Sequence, residues 1–131
     1  MKLTKQQRAE LRLKFGGLCA YCGCELPERW HADHYEPVVR NWGGYEKVKP
    51  AERPERHRMD NMMPSCPTCN ISKGSMPLDA WREWLAGHIN SLNQYHSIYR
   101  LAKAYGLIQE TGAAVVFHFE RDAAASTAQG E

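Results

Sequence analysis

The apolar positions of this chain fall into helical, alternating and aperiodic stretches, and each predicts a different element. Near the start, Leu11 and Phe15 recur at helical spacing. Thr4 precedes them as an N-cap with Gln7 three residues on, and Gly16-Gly17 closes the run, so a short helix is predicted there. After Pro27, the run Arg29-Trp-His-Ala-Asp-His-Tyr35 reads as a short strand entering a turn at Pro37, with Val38-Val39 as the returning strand of a small hairpin. Residues 41–60 carry Gly43-Gly44, Pro50 and Pro54 among mixed charges and predict no regular structure. A loop that long in a small domain is a candidate substrate arm. Pro67 to Lys73 predicts a second short helix ended by Gly74. Beyond it, Pro77 and Asp79 suit a first helical turn. Trp81, Trp84, Leu85, His88, Leu92, Tyr95, Tyr99 and Ala102 then repeat at spacings of three and four until Gly106, predicting one long helix with its stripe in the core. Ala113 to Phe119 has the composition of a terminal strand, and Ala123 to Glu131 that of a disordered tail.

A length of 131 residues suits a single domain spanning 1–131. Seventeen Lys+Arg against fifteen Asp+Glu, with 43% hydrophobic residues, exclude collagen-like, fully disordered and membrane classes. No apolar run approaches the roughly 18 residues of a bilayer span, and Met1 to Gly17 lacks the apolar stretch of a secretory signal, so a cytoplasmic location is expected. Charge is uneven at the start. Lys2, Lys5, Arg8, Arg12 and Lys14 against Glu10 give five minus one, a local excess of +4, which reads either as a cationic face or as plain solvated surface.

In a reducing compartment, five cysteines point to metal binding or catalysis more than to disulfides. Cys19-Ala-Tyr-Cys22 and Cys66-Pro-Thr-Cys69 are two C-x-x-C pairs, each able to occupy two corners of a tetrahedron around Zn²⁺, and Gly23 follows the first as tight knuckle turns prefer. Cys24 is left as a spectator; a register using it in place of Cys22 needs a longer turn. Four thiolates and one Zn²⁺ sum to −2, which brings the formal +2 of the chain to zero, so affinity for a polyanion must come from local patches.

Closing such a tetrad forces its neighbours together. Asp33-His34 lies between the two cysteine pairs, Asn70 directly follows Cys69, and Asn61 sits five residues before Cys66. A carboxylate and an amide oxygen are hard ligands suited to Mg²⁺ or Mn²⁺ rather than Zn²⁺. An imidazole beside them is a candidate general base for an attacking water.

Taken together, Cys19-x-x-Cys22-Gly23, Asp33-His34-x-x-Pro37, Asn61 and Cys66-x-x-Cys69-Asn70-x-x-Lys73-Gly74 resemble the zinc-stapled HNH endonuclease family, from Gly17 to about Trp84. The resemblance implies an α+β fold. Its core, residues 17–84, would be a ββα-metal (His-Me finger) unit on the four-Cys zinc scaffold. An N-terminal helix, a long C-terminal helical segment and a terminal strand would flank it, the last two forming an extension over 85–122. It also implies roles: Asp33 as ligand of a catalytic Mg²⁺ or Mn²⁺, His34 as general base, and Asn61 as the brace that holds His34 in place. Asn70 would be the second metal ligand, where many members carry a histidine, which makes this chain an H-N-N variant. The implied reaction is hydrolysis of DNA to 5′-phosphate and 3′-hydroxyl ends. Lys73, one helical turn after Asn70, is a candidate phosphate contact, as are Arg56 and Arg58 in the long loop.

No helix with a cluster of base-reading side chains stands out, so recognition by backbone and shape is expected. Two competing readings stand beside the enzyme. One is a catalytically silent zinc-stapled nucleic-acid-binding or adaptor module in a phage packaging or restriction complex; the other is a protein contact through the helix Pro77 to Tyr105. Blander roles suit the rest. Alternation sends His31 to the face opposite His34, which favours a surface or supporting role. His57 sits among loop arginines, while Trp42, Tyr45, His88, His96 and His118 are read chiefly as packing or surface residues. The sequence carries no signal for oligomeric state.

Overall fold

The computed structural model describes residues 3–34 and 59–121. The expected turn at Pro37, the strand Val38-Val39 and the tail 123–131 lie outside the described residues, as do Trp42, Tyr45, Arg56, His57 and Arg58. The chain divides into two compact units, residues 1–78 with 116–131 and residues 79–115.

The first unit opens with α1, Lys5–Arg12, whose start follows the sequence closely. Thr4 Oγ1 accepts from the Gln7 amide at 3.1 Å and Gln7 Oε1 accepts from the Thr4 amide at 3.0 Å, a reciprocal capping box that satisfies two of the helix's orphan donors. Three of the basic residues of this segment bond to carbonyls elsewhere in the unit, although Arg8 and Lys14 remain exposed. Arg8 donates to the Trp30 carbonyl at 2.7 Å with its guanidinium 4.0 Å from the indole centroid, Arg12 to the Leu26 carbonyl, and Lys14 to the Met62 carbonyl at 2.9 Å. Three of the five cations thus act as internal clasps, and burial pushes the Lys14 ammonium below its ordinary value while Asp60 partly offsets this.

Strand β1, His31–His34, pairs antiparallel with β2, Met62–Ser65, in the register His31 with Ser65 and His34 with Met62. Among the described residues the partner of β1 comes from far along the chain, in a segment the sequence reading assigned to no strand. Pro64 hid it, because proline lacks a ladder donor and demotes a run to an edge. Here that edge is used: the Pro64 carbonyl accepts from the Ala20 amide at 2.8 Å, joining the first cysteine turn to the sheet. A short 3₁₀ turn, Met59–Asn61, leads into β2, and α2, Pro67–Lys73, leaves it.

The terminal strand expected at Ala113 to Phe119 does not form. The segment is irregular up to Phe117, and residues 118–121 make a helical turn. The amides of His118 and Phe119 donate to the carbonyls of Tyr21 and Ala20, and Phe117 meets the Tyr21 ring edge to face at 5.7 Å. Strand-forming composition needs a free edge to pair with; here the aromatic side chains instead seal the first cysteine turn. Leu11, Tyr21, Leu26, Trp30, Met62, Met63 and Phe117 form the buried apolar set of this unit.

In the second unit the predicted long helix is broken. α3 spans Leu78–Ala86, α4 spans His88–Tyr95 and α5 spans Ser97–Ala104. His96 adopts an extended conformation between α4 and α5, and a polar clasp holds the break: Arg100 donates to the Asn93 carbonyl at 2.7 Å, Lys103 donates to Asn93 Oδ1, and Lys103 pairs with Glu110 at 3.2 Å. The stripe consequently does not form one core seam. Trp81 is buried, but Trp84 and Tyr95 are exposed, and neither α4 nor α5 contributes a buried residue.

Candidate functional site

The four cysteines of the two C-x-x-C turns converge, with all Sγ atoms within 4.8 Å of one another, a grouping that could hold a metal ion. Local backbone builds it. Gly23 has φ of 79°, where its amide closes the first turn on the Cys19 carbonyl at 3.0 Å, and a Cβ there would lie 3.2 Å from the His118 ring. The amides of Tyr21 and Cys66 point at the Cys19 sulfur, each at 3.4 Å, and the Cys69 amide at the Cys66 sulfur, also at 3.4 Å. Amide donors around sulfur favour thiolates, the form that binds metal. The Cys69 thiol pushes Cys19 down to about 4 by hydrogen bonding to it, and Cys69 is raised in return. Burial raises Cys66. Cys24 stays outside the group of four, with its thiol pushed up to about 12 by desolvation and then by Cys22 beside it.

Beside this cluster, β1 and α2 bring the other candidates together. Asp33 is 8% exposed, and its Oδ2 accepts from the Tyr21 hydroxyl at 2.5 Å and pairs with the Lys73 ammonium at 3.2 Å. The same ammonium donates to the His34 carbonyl at 3.0 Å. Lys73 itself is 1% exposed. The sequence suggested a phosphate contact for this lysine, but an ammonium enclosed to that degree, with its charge answered by Asp33, has no open face for a backbone phosphate. Its position makes it a pin between α2 and the Asp33-His34 dipeptide.

Asn70 lies on α2 with its amide nitrogen 2.6 Å from His31 Nδ1. Asn61 is 4% exposed and immediately precedes Met62, which pairs with His34 across the sheet. His34 is half-buried, at the end of β1. The Tyr21 hydroxyl is raised well above its usual range by burial and by the Asp33 charge, so it remains a donor at every ordinary pH.

These donors fit a hard divalent cation. Among the described residues, Asp33 Oδ1 and Asn70 Oδ1 accept no hydrogen bond, while the other end of each group is already engaged. An open oxygen on a buried carboxylate and an open amide oxygen are the donor chemistry that Mg²⁺ and Mn²⁺ take.

The sequence reading passed over one residue of this arrangement and gave another only a surface or supporting role. Tyr21 lies inside the first C-x-x-C, where only the cysteines drew notice, and His31 was compared with His34 rather than with Asp33, whose face it shares by strand alternation.

Residues 19–76 match the family model described as HNH endonuclease. That stretch begins at the first cysteine of the cluster and ends just past α2, so the sheet, the cluster and both candidate ligands fall inside the matched residues. Searches of curated proteins and of solved structures give no match to the chain. No helix among the described residues is long and apolar enough to cross a membrane.

Proposed function

We propose that the protein is a metal-dependent endonuclease that hydrolyses DNA phosphodiester bonds, with His34 as general base. The observation that carries this reading is the double tie between β1 and α2: Lys73 holds Asp33 and the His34 carbonyl, and His31 holds Asn70. Proposed base and proposed cation ligands are thereby held at one junction, the preorganisation hydrolysis requires.

Asp33 and Asn70 would hold the divalent cation, with Mg²⁺ or Mn²⁺ favoured by their hard oxygens. Bound there, the ion supplies Lewis-acid neutralisation of charge on the phosphoryl and departing 3′ oxygens. Lys73 already balances Asp33, −1 and +1 summing to zero, so phosphate oxygens of the DNA would add to the affinity of the cation site. His34, the more accessible residue of the dipeptide, takes the proton of the attacking water, as a neutral imidazole near pH 7 can do. Asn61, buried where the chain enters β2 opposite His34, is suited to brace it. A Zn²⁺ on Cys19, Cys22, Cys66 and Cys69 would be structural, since four protein ligands leave no open position for a water or a substrate.

Arg56 and Arg58 remain candidate DNA contacts on charge alone. A protein contact through the C-terminal helices is supported only by exposed apolar side chains such as Ile98, Leu101 and Tyr105. No observation favours the catalytically silent reading.

The test is nicking of supercoiled plasmid DNA across a panel of divalent metals. His34→Ala is expected to lose at least about a hundredfold in Mg²⁺- or Mn²⁺-dependent nicking, with zinc content and fold retained. Unchanged nicking by that variant would refute the assignment.

A further inference from the structure

We infer that His31 is a positioning residue for the cation site: it holds the Asn70 carboxamide by its nitrogen and so presents the amide oxygen as the ligand. The inference rests on the reading of Asn70 as a cation ligand given above.

Strand alternation puts His31 on the face of β1 that also carries Asp33, and there His31 Nδ1 meets Asn70 Nδ2 at 2.6 Å across 39 residues of sequence. An amide nitrogen has only hydrogens to offer, so Nδ1 accepts and the imidazole proton resides on Nε2. The orientation of the carboxamide is the point. One end is a hard oxygen donor and the other an NH₂ group that repels a cation, and the two ends exchange by rotation of a side-chain torsion. A neighbour that accepts from NH₂ selects the productive orientation before the ion arrives, so the ordering cost falls in folding rather than in binding. Asn70 Oδ1 accepts no hydrogen bond among the described residues, so none of these competes with a cation for it.

Asp33 shows the same logic with different partners: Tyr21 and Lys73 take Oδ2 and leave Oδ1. A carboxylate has an oxygen at both ends, however, and binds in either orientation. The carboxamide alone depends on a neighbour to choose its ligand end, which makes His31 specific to an asparagine at position 70. Partners that orient metal ligands in this way are worth about 10–100-fold in metal affinity.

The experiment is Mn²⁺ binding to the full, zinc-loaded chain without DNA, read by electron paramagnetic resonance of the free ion. His31→Leu is expected to weaken Mn²⁺ binding about 10–100-fold with zinc content and melting temperature retained, and His31→Gln, which keeps an acceptor, to recover part of the loss. In an Asn70→Asp background, His31→Leu is expected to change affinity little. Unchanged affinity in His31→Leu would overturn the inference, and so would an equal loss in the Asn70→Asp background, which would make His31 itself a ligand. Asn70→Ala separates the layers. If it abolishes Mn²⁺ binding while His31→Leu does not, only this inference falls; if it leaves binding intact, the reading of Asn70 falls with it.

Discussion

Asp33 is nearly enclosed, and the Tyr21 hydroxyl and the Lys73 ammonium both meet its Oδ2. Removing one partner of such a pair is far more costly than never having buried it, because the remaining charge is left without water or counter-ion. Lys73→Met is therefore expected to destabilise the fold by about 3–5 kcal/mol, measured by urea unfolding; a loss below about 1 kcal/mol, the range of exposed pairs, would contradict the pinning role. At this scale the sequence exposed the chemistry of single residues but not their partners. Asp33, His34, Asn61 and Asn70 stand out as candidates because their residue types and order suit hydrolysis. Tyr21 was missed because a phenol between two cysteines looks like packing, and only its hydrogen bond to Asp33 gives it a role.

Elements follow local rules where local interactions suffice. The start of α1 was readable because a capping box is a contact between residues three apart, and Thr4→Ala is expected to cost about 1 kcal/mol, seen as a lowered midpoint in thermal or urea melts. α2 was equally readable, with Pro67 at its first turn and Gly74 ending it at φ of 53°. The three-helix region was not. A stripe at spacings of three and four continues through His96 without interruption, yet the backbone turns there, because Arg100 and Lys103 both bond back to Asn93 in α4. Periodicity records which positions are apolar and is silent on side chains that fold a helix back on itself. The strand expected at Ala113 to Phe119 failed for a related reason. Pairing requires an available edge, and Ala20 and Tyr21 offer carbonyls to a turn instead.

At the scale of the whole molecule, a metal held by the four-sulfur cluster would supplement a small core. The buried apolar set of the first unit is short, each large side chain in it contributing about 1.5–3 kcal/mol, and a structural metal is a common supplement in domains of this kind. Cys66 is tied into three places at once: it caps α2, its amide reaches the Cys19 sulfur, and its own sulfur lies 3.8 Å from that of Cys22. Cys66→Ser is expected to lose bound zinc, measured by atomic absorption, and to lose cooperative unfolding near the parental melting temperature. A zinc-free variant melting like the parent would show that the staple is dispensable.

What the chain determined by itself is the set of groups: two cysteine turns, an aspartate–histidine pair, an asparagine one residue past the last cysteine, and the short helix that carries it. These are encoded by residue type and by spacings of a few positions, which a linear reading captures. Only the tertiary structure decided which groups meet. The contacts of Asn70 with His31 and of Lys73 with the His34 carbonyl each join residues 39 positions apart. Such contacts depend on the pairing of β1 with β2 and on the closing of the cysteine cluster, and neither leaves a periodic trace in the sequence.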